Sequence, residues 1–252
     1  MKNIRHEEER QSVHYDEIAS EYDRHYSDPT SEVYRARFVN GPMTQGIDLE
    51  GRNVLEAMCG SGSTIAYLLS KGAKVTGLDI SENLVTTFKQ KWPQCDAIQA
   101  SILDSGLPDA SFDCVVVVGG LHHVQPHVNS AVDEIYRILK PGGWFCFSEP
   151  HAQSVPDLIR GWWYRVDNLF ERNEAALDLD SMKAAYRERF DFVTTKYSGS
   201  IAYLLVYNSM VFRIPVSWKR YYAPPLLALE SALAPLVGKR LGTFVVCQWR
   251  KR

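Results

Sequence analysis

The chain places acids and glycines where apolar runs end, and those positions are the ones that can do chemistry. In LEAMCGSGST, Glu56 stands four residues before Gly60, and Gly60 and Gly62 flank Ser61. Such a bend brings bare backbone N–H groups to a helix start, where a polar ligand can sit. Asp79 ends a second apolar run 19 residues after Gly60. An acid there hydrogen-bonds ribose hydroxyls in nucleotide sites, the plainer alternative being a cap on a helix that begins near Ser81. Gly119 with Gly120, and Glu149, close two further runs. His122 and His123 follow the first of these. A histidine there can take a proton from a reacting group, although packing at a strand end is the simpler role for both.

Positioning these residues takes alternating strands and helices, the pattern of parallel βαβ units. The spacing predicts strands at 53–58, 74–79, 96–100, 112–118 and 144–149, with 112–118 (FDCVVVV) continuously apolar like a strand buried on both faces. Helices are predicted over 63–71, over 82–91 with Ser81 as its cap, and over 128–139, where Lys-Pro-Gly-Gly supplies the stop. After Pro150 the reading is helix over 159–179 and 182–189, a sixth strand over 192–197, an apolar insert from Ile201 to Val237 and a last strand over 243–249. The expected organisation is therefore 1–45 as entry or lid helices, 46–150 as a ligand-binding α/β core, 151–241 as a sixth strand with an inserted helical substrate cap, and 242–252 as the strand that completes the sheet. In an open parallel sheet ligands bind beyond the carboxyl ends of the strands, so Glu56, Asp79, Gly119, Gly120 and Glu149 share one rim.

Composition narrows the class. The 252 residues are 45% apolar, with no run long enough to cross a membrane and a charged start, so a cytoplasmic protein without a leader is expected. Cys59, Cys95, Cys114, Cys146 and Cys247 form no C-x-x-C pair and read as reduced core residues. No metal is expected, because His127, His151 and Glu149 match no tight ligand spacing. The net charge of −2 hides an asymmetry: Ser200–Arg252 holds eight Lys/Arg against one acid, Glu230, while the rest holds 20 bases and 29 acids. Nucleic acid is excluded as a partner by the acidic balance and the lack of a basic aromatic stripe outside the tail. Ordinary packing of a cap explains the apolar insert, an anionic small-molecule acceptor would explain its missing acids, and docking on an anionic membrane surface is the least favoured reading.

The ligand class follows from what the glycine turn lacks. A dinucleotide fingerprint has a third glycine where this chain has Ile65, and Glu56 suits an ammonium group better than a pyrophosphate. In YDEIASEYD, LEAMCGSG, VTGLDIS, LPDASFDCVVVVGGLHHV and EIYRILKPGG, which run in register from Tyr15 to Pro150, the chain resembles the class I S-adenosylmethionine-dependent methyltransferases, especially the small-molecule group. The resemblance implies an α/β, doubly wound seven-stranded sheet, mostly parallel with an antiparallel last strand, helices on both faces and a helical cap. It implies S-adenosylmethionine as methyl donor and S-adenosylhomocysteine as product, with in-line transfer to a small-molecule acceptor. Cofactor contacts are implied at Glu56, Met58, Cys59, Gly60 and Gly62, at Asp79 and Ile80 on ribose and adenine, at Ser101, Ile102 and Leu103 after the third strand, and at Gly119. Tyr15, Tyr22, Glu149 and His151 are expected on the substrate or lid side, and His122 or His123 as base if one is used. Two departures stand out: Met58 replaces the family's usual glycine, and the acid near adenine is displaced to Asp104. The alternatives are an NAD(P)-dependent oxidoreductase on a similar sheet, which the missing glycine disfavours, and a cofactor-binding protein without catalysis.

Overall fold

The computed structural model describes residues 24–158, 160 and 175–252. Tyr15, Tyr22 and most of the helix expected over 159–179 lie outside them. Seven strands, β1 (Asn53–Ala57), β2 (Lys74–Asp79), β3 (Asp96–Gln99), β4 (Phe112–Val118), β5 (Leu139–Pro150), β6 (Phe190–Ser198) and β7 (Phe244–Lys251), form one sheet in the order β3-β2-β1-β4-β5-β7-β6. The strands from β3 to β5 pair in parallel, and β7 runs antiparallel to both β5 and β6. The strand order reverses between β1 and β4, which puts a crevice beyond their carboxyl ends.

Side chains alternate across the sheet. Leu55, Val115, Phe145 and Trp249 face one layer, where α5 (Val128–Ile138) and α6 (Leu179–Tyr186) cover them. Val54, Val116, Cys146 and Val246 face the other, under α1 (Pro29–Arg35), α2 (Gly41–Thr44), α3 (Ile65–Ser70), α4 (Glu82–Lys91) and α7 (Val216–Leu233). Val128, Val132 and Ile135 are buried as the helical spacing predicts. Ser81 caps α4 by accepting from Leu84 N at 3.0 Å, also as predicted.

Most boundaries shift by one or two residues, and three regions differ more from the sequence expectation. Leu139 does not continue α5: it pairs with Phe112 and opens β5, so Lys-Pro-Gly-Gly lies inside a strand that carries a bulge. The pairing is non-local and leaves no mark in the helical periodicity. Residues 175–178 are not helical, and Leu177 bridges His151 instead. The helix expected over 182–189 is α6, which starts earlier because Asp178 accepts from Ser181 N at 3.1 Å and caps it.

The residues before β1 and the insert between β6 and β7 pack together over one sheet face. Tyr34 of α1 stacks on Tyr207 with ring centroids 5.2 Å apart and donates to Glu230 of α7 at 3.2 Å. Lys219 of α7 is buried and donates to Asp28 at 2.5 Å, to the His25 carbonyl at 2.7 Å and to Ser31 at 2.7 Å. His25 meets Ser209 at 3.1 Å, and Tyr26 donates to Asn208 at 2.7 Å.

Candidate active site

β1 carries Glu56 beside Gly77 of β2 and Val116 of β4. The carboxylate is buried, and its Oε2 has no hydrogen-bond partner among the described residues. Burial pushes its pKa up to about 7, while Thr64 and the Arg35 charge pull the other way. The chain then turns left-handed at Met58, with φ of 57°. That conformation favours glycine, the residue the resemblance implies there. Met58 is accommodated because Gly120 faces it: a Cβ on Gly120 would come within 2.8 Å of the Met58 sulfur.

The glycine turn departs from the expectation of bare amides. Gly60 N donates to Asp79 Oδ2 at 2.8 Å, and Gly62 N donates to the Cys59 carbonyl at 2.9 Å. Asp79 Oδ1 also accepts from Ser81 N at 3.0 Å. Asp79 therefore ties the turn to the end of β2, and it is Ser81 that caps α4. Carboxylate oxygens accept more than one hydrogen bond, so this bracing leaves capacity for a ligand hydroxyl. A Cβ on Gly60 would meet nothing within 4 Å, so the turn borders open space. The Cys59 side chain points inward: a Cβ on Gly77 would lie 2.9 Å from its sulfur, and burial pushes the thiol pKa well up. Any contact Cys59 makes with a ligand would therefore be through its backbone. Ile80 is half-buried at the rim. Ser101 Oγ accepts from Leu103 N at 3.0 Å in a tight turn that buries Ile102 and leaves Asp104 exposed.

On the other side of the crevice Gly119 takes a left-handed φ of 65°, and a short 3-10 turn runs over Leu121–Val124. Glu149 at the end of β5 is buried and holds this turn: its Oε1 accepts from Gly120 N at 2.7 Å and Leu121 N at 2.8 Å. Its Oε2 lies 2.8 Å from His122 Nδ1. The His122 and His123 rings lie 3.8 Å apart by centroid. Glu149 thus positions His122, a role the sequence reading did not give it. His151 moves away from the expected substrate side, because its ring is buried between the Ala152 and Gly242 carbonyls, each 2.9 Å from a ring nitrogen. Burial lowers its pKa. Among the described residues no group of three or more His, Cys, Asp or Glu is arranged to hold a metal ion.

The residue that sequence reasoning missed is Arg35. It is buried at the end of α1, its Nη1 lacks a hydrogen-bond partner among the described residues, and its charge acts on Glu56. The available signal was helical: Ser31, Tyr34 and Phe38 make an inward stripe that carries Arg35 with it, while Arg37 stays exposed. A buried guanidinium nitrogen and a buried carboxylate oxygen without hydrogen-bond partners among the described residues leave two polar positions that a bound group can fill.

Residues 55–147 match the family model described as a methyltransferase domain. An uncharacterized methyltransferase of Synechocystis sp. is 33% identical over 119 residues, 47% of this chain and 56% of that protein. A demethylmenaquinone methyltransferase of Listeria monocytogenes is 31% identical over 131 residues, 49% of this chain and 53% of that protein. The chain thus spans about half the length of these curated relatives. In three dimensions it resembles a Thermotoga maritima S-adenosylmethionine-dependent methyltransferase, described as a possible histamine N-methyltransferase, with a TM-score of 0.64 at 19% identity over 95% of this chain and 99% of that one. It also resembles the [4+2]-cyclase SpnF, with a TM-score of 0.60 at 17% identity over 84% of this chain and 80% of that one. The fold is therefore shared with a protein named for other chemistry. Residues 55–147 thus match the methyltransferase-domain family, in a fold that the chain shares with an S-adenosylmethionine-dependent methyltransferase.

Proposed function

We propose that the protein transfers a methyl group from S-adenosylmethionine to a small-molecule acceptor held in the crevice beyond the carboxyl ends of β1 and β4. The observation that carries this reading is the pair of unmatched buried groups, Glu56 Oε2 and Arg35 Nη1. An amino acid zwitterion supplies an ammonium for the first and a carboxylate for the second, and the methionine end of the cofactor is such a group. The open space above Gly60 leaves room for the ligand to cross the turn, and Asp79 with Ile80 offers an acid and an apolar wall for ribose and adenine. Ser101, Ile102 and Leu103 would line the adenine side.

When bound, S-adenosylmethionine supplies an electrophilic methyl group on a sulfonium, and in-line proximity is the main requirement for its transfer. The chain's own contribution is orientation and proton handling. A neutral His122 that donates its Nδ1 proton to Glu149 carries its basic lone pair on Nε2, the tautomer a general base needs. His122 would then take the proton of an acceptor hydroxyl or amine as the methyl arrives, with the His123 ring tilted against it. The test is transfer of a labelled methyl group to a substrate panel that includes demethylmenaquinone, the acceptor named for the Listeria relative. Labelled product in wild type and its loss in Glu56→Gln support the reading. Tight cofactor binding with no transfer to any acceptor would favour a binding protein without catalysis.

A further inference from the structure

Helix α7 is built inside out. Its two charged residues with the deepest burial, Lys219 at 1% and Glu230 at 2% exposure, point toward the protein with Ala223 and Leu227. Its outward face is Trp218, Tyr221, Pro225, Ala228, Leu229 and Ala232, spaced at three and four residues, with Trp218 at 61% and Tyr221 at 69% exposure. A surface helix ordinarily shows the reverse pattern. The apolar surface runs on through Leu236 at 73% and Leu241, and then to Val155 and Leu158, because Val155 N donates to the Arg240 carbonyl at 2.9 Å. Arg213, Arg220 and Arg240 are exposed on this part of the chain, and Arg220 lies over the Tyr221 ring at 4.6 Å.

We propose that this face docks on an anionic lipid bilayer, with α7 lying in the plane of the interface. Charge complementarity selects that occupant. From Ser200 onward the only acid is Glu230, which is turned inward and accepts from Ser200 and Ala202, so α7 presents no outward acid; the neighbouring carboxylates Asp157 and Asp180 are each paired, with Arg160 and Lys239. The rest of the chain holds 20 bases against 29 acids, and its repulsion from the same surface orients the molecule with α7 toward it. A second copy of this chain fits less well: a two-fold contact would lay the same arginines against one another. Tyr and Trp suit the headgroup layer, having an apolar body and a polar tip. No described helix is long and apolar enough to cross a membrane, so the contact is on the surface.

Vesicle co-sedimentation of the full chain tests the proposal, using phosphatidylcholine alone and phosphatidylcholine with phosphatidylglycerol at low and high salt. The expected result is binding to the anionic vesicles at low salt that weakens at high salt and is weak on the neutral ones. Trp218→Ser with Tyr221→Ser should reduce it more than tenfold, and Arg220→Ala and Arg240→Ala about fivefold each, the factor for one headgroup contact. These side chains are exposed, and Leu236→Ser serves as an independent variant of the same face should the double substitution lower the melting temperature. Absence of binding to anionic vesicles at low salt would overturn the proposal, as would binding that none of these substitutions changes. A concentration-dependent dimer in sedimentation velocity, abolished by the double substitution while vesicles are ignored, would assign the face to a second copy instead.

Discussion

Replacing Glu56 with Gln separates the energetics of the site from its chemistry. The buried carboxyl has a pKa of about 7 against an ordinary 4.5, so the folded protein holds this proton over a range in which the unfolded chain has released it. Folded chains then bind more protons than unfolded ones, and stability falls as pH rises from about 4.5 through about 7. A difference of about 2.5 units corresponds to about 3 kcal/mol, fully felt above the folded pKa. Gln has nearly the same shape and no proton to lose. The ligand-free Glu56→Gln protein should therefore come within about 1 kcal/mol of wild type in urea unfolding at pH 5 and exceed it by up to about 3 kcal/mol at pH 8. A ligand ammonium would stabilise the ionised carboxylate, so saturating S-adenosylmethionine should remove much of the wild-type decline. The Gln protein should bind it about 10- to 150-fold more weakly, the range for one charge-assisted hydrogen bond. An equal stability difference at pH 5 and pH 8 would refute the reasoning, since a purely steric effect has no such pH window.

Three other substitutions probe the remaining parts. Arg35→Met should weaken cofactor binding about tenfold or more by calorimetry, and it should raise the Glu56 pKa further, which carboxyl NMR titration reads directly. His122→Ala should reduce turnover about a hundredfold or more while the cofactor dissociation constant is nearly kept; a small loss would return His122 to a packing role. Lys219→Met should cost about 3 kcal/mol in chemical denaturation by removing the ion-pair partner of Asp28, which keeps only its hydrogen bonds from Thr30 and Ser31, and Asp28→Asn added to it should recover part of that loss.

The parts of the fold that were legible in the sequence are those written in local pattern. β2 and β4 have the limits their apolar runs predict, and Ser81 caps α4, because a strand buried on both faces and a side-chain cap are properties of neighbouring residues. The start of β5 was not legible, since the Phe112–Leu139 pair joins residues that only the folded sheet brings together. The same division runs through the site. Glu56, Asp79, Gly119, Gly120 and Glu149 were placed on one rim by strand-end logic, and each stands within two residues of the end of its strand. Arg35 was not found, because it reaches Glu56 through the packing of α1 on the sheet, and no spacing to the glycine turn marks it. The roles of Glu149 as a brace for His122 and of His151 as a link to the loop before β7 depend on hydrogen bonds to backbone distant in sequence, which residue type alone cannot indicate.

Isothermal titration of the full chain with S-adenosylmethionine, S-adenosylhomocysteine and NAD, repeated on Arg35→Met and Glu56→Gln, tests the central claim most directly. The account predicts that wild type binds both the sulfonium and its demethylated product, that each variant binds them at least about tenfold more weakly, and that NAD gives no binding heat. Binding of NAD without S-adenosylmethionine, or S-adenosylmethionine affinity unchanged in both variants, would contradict it.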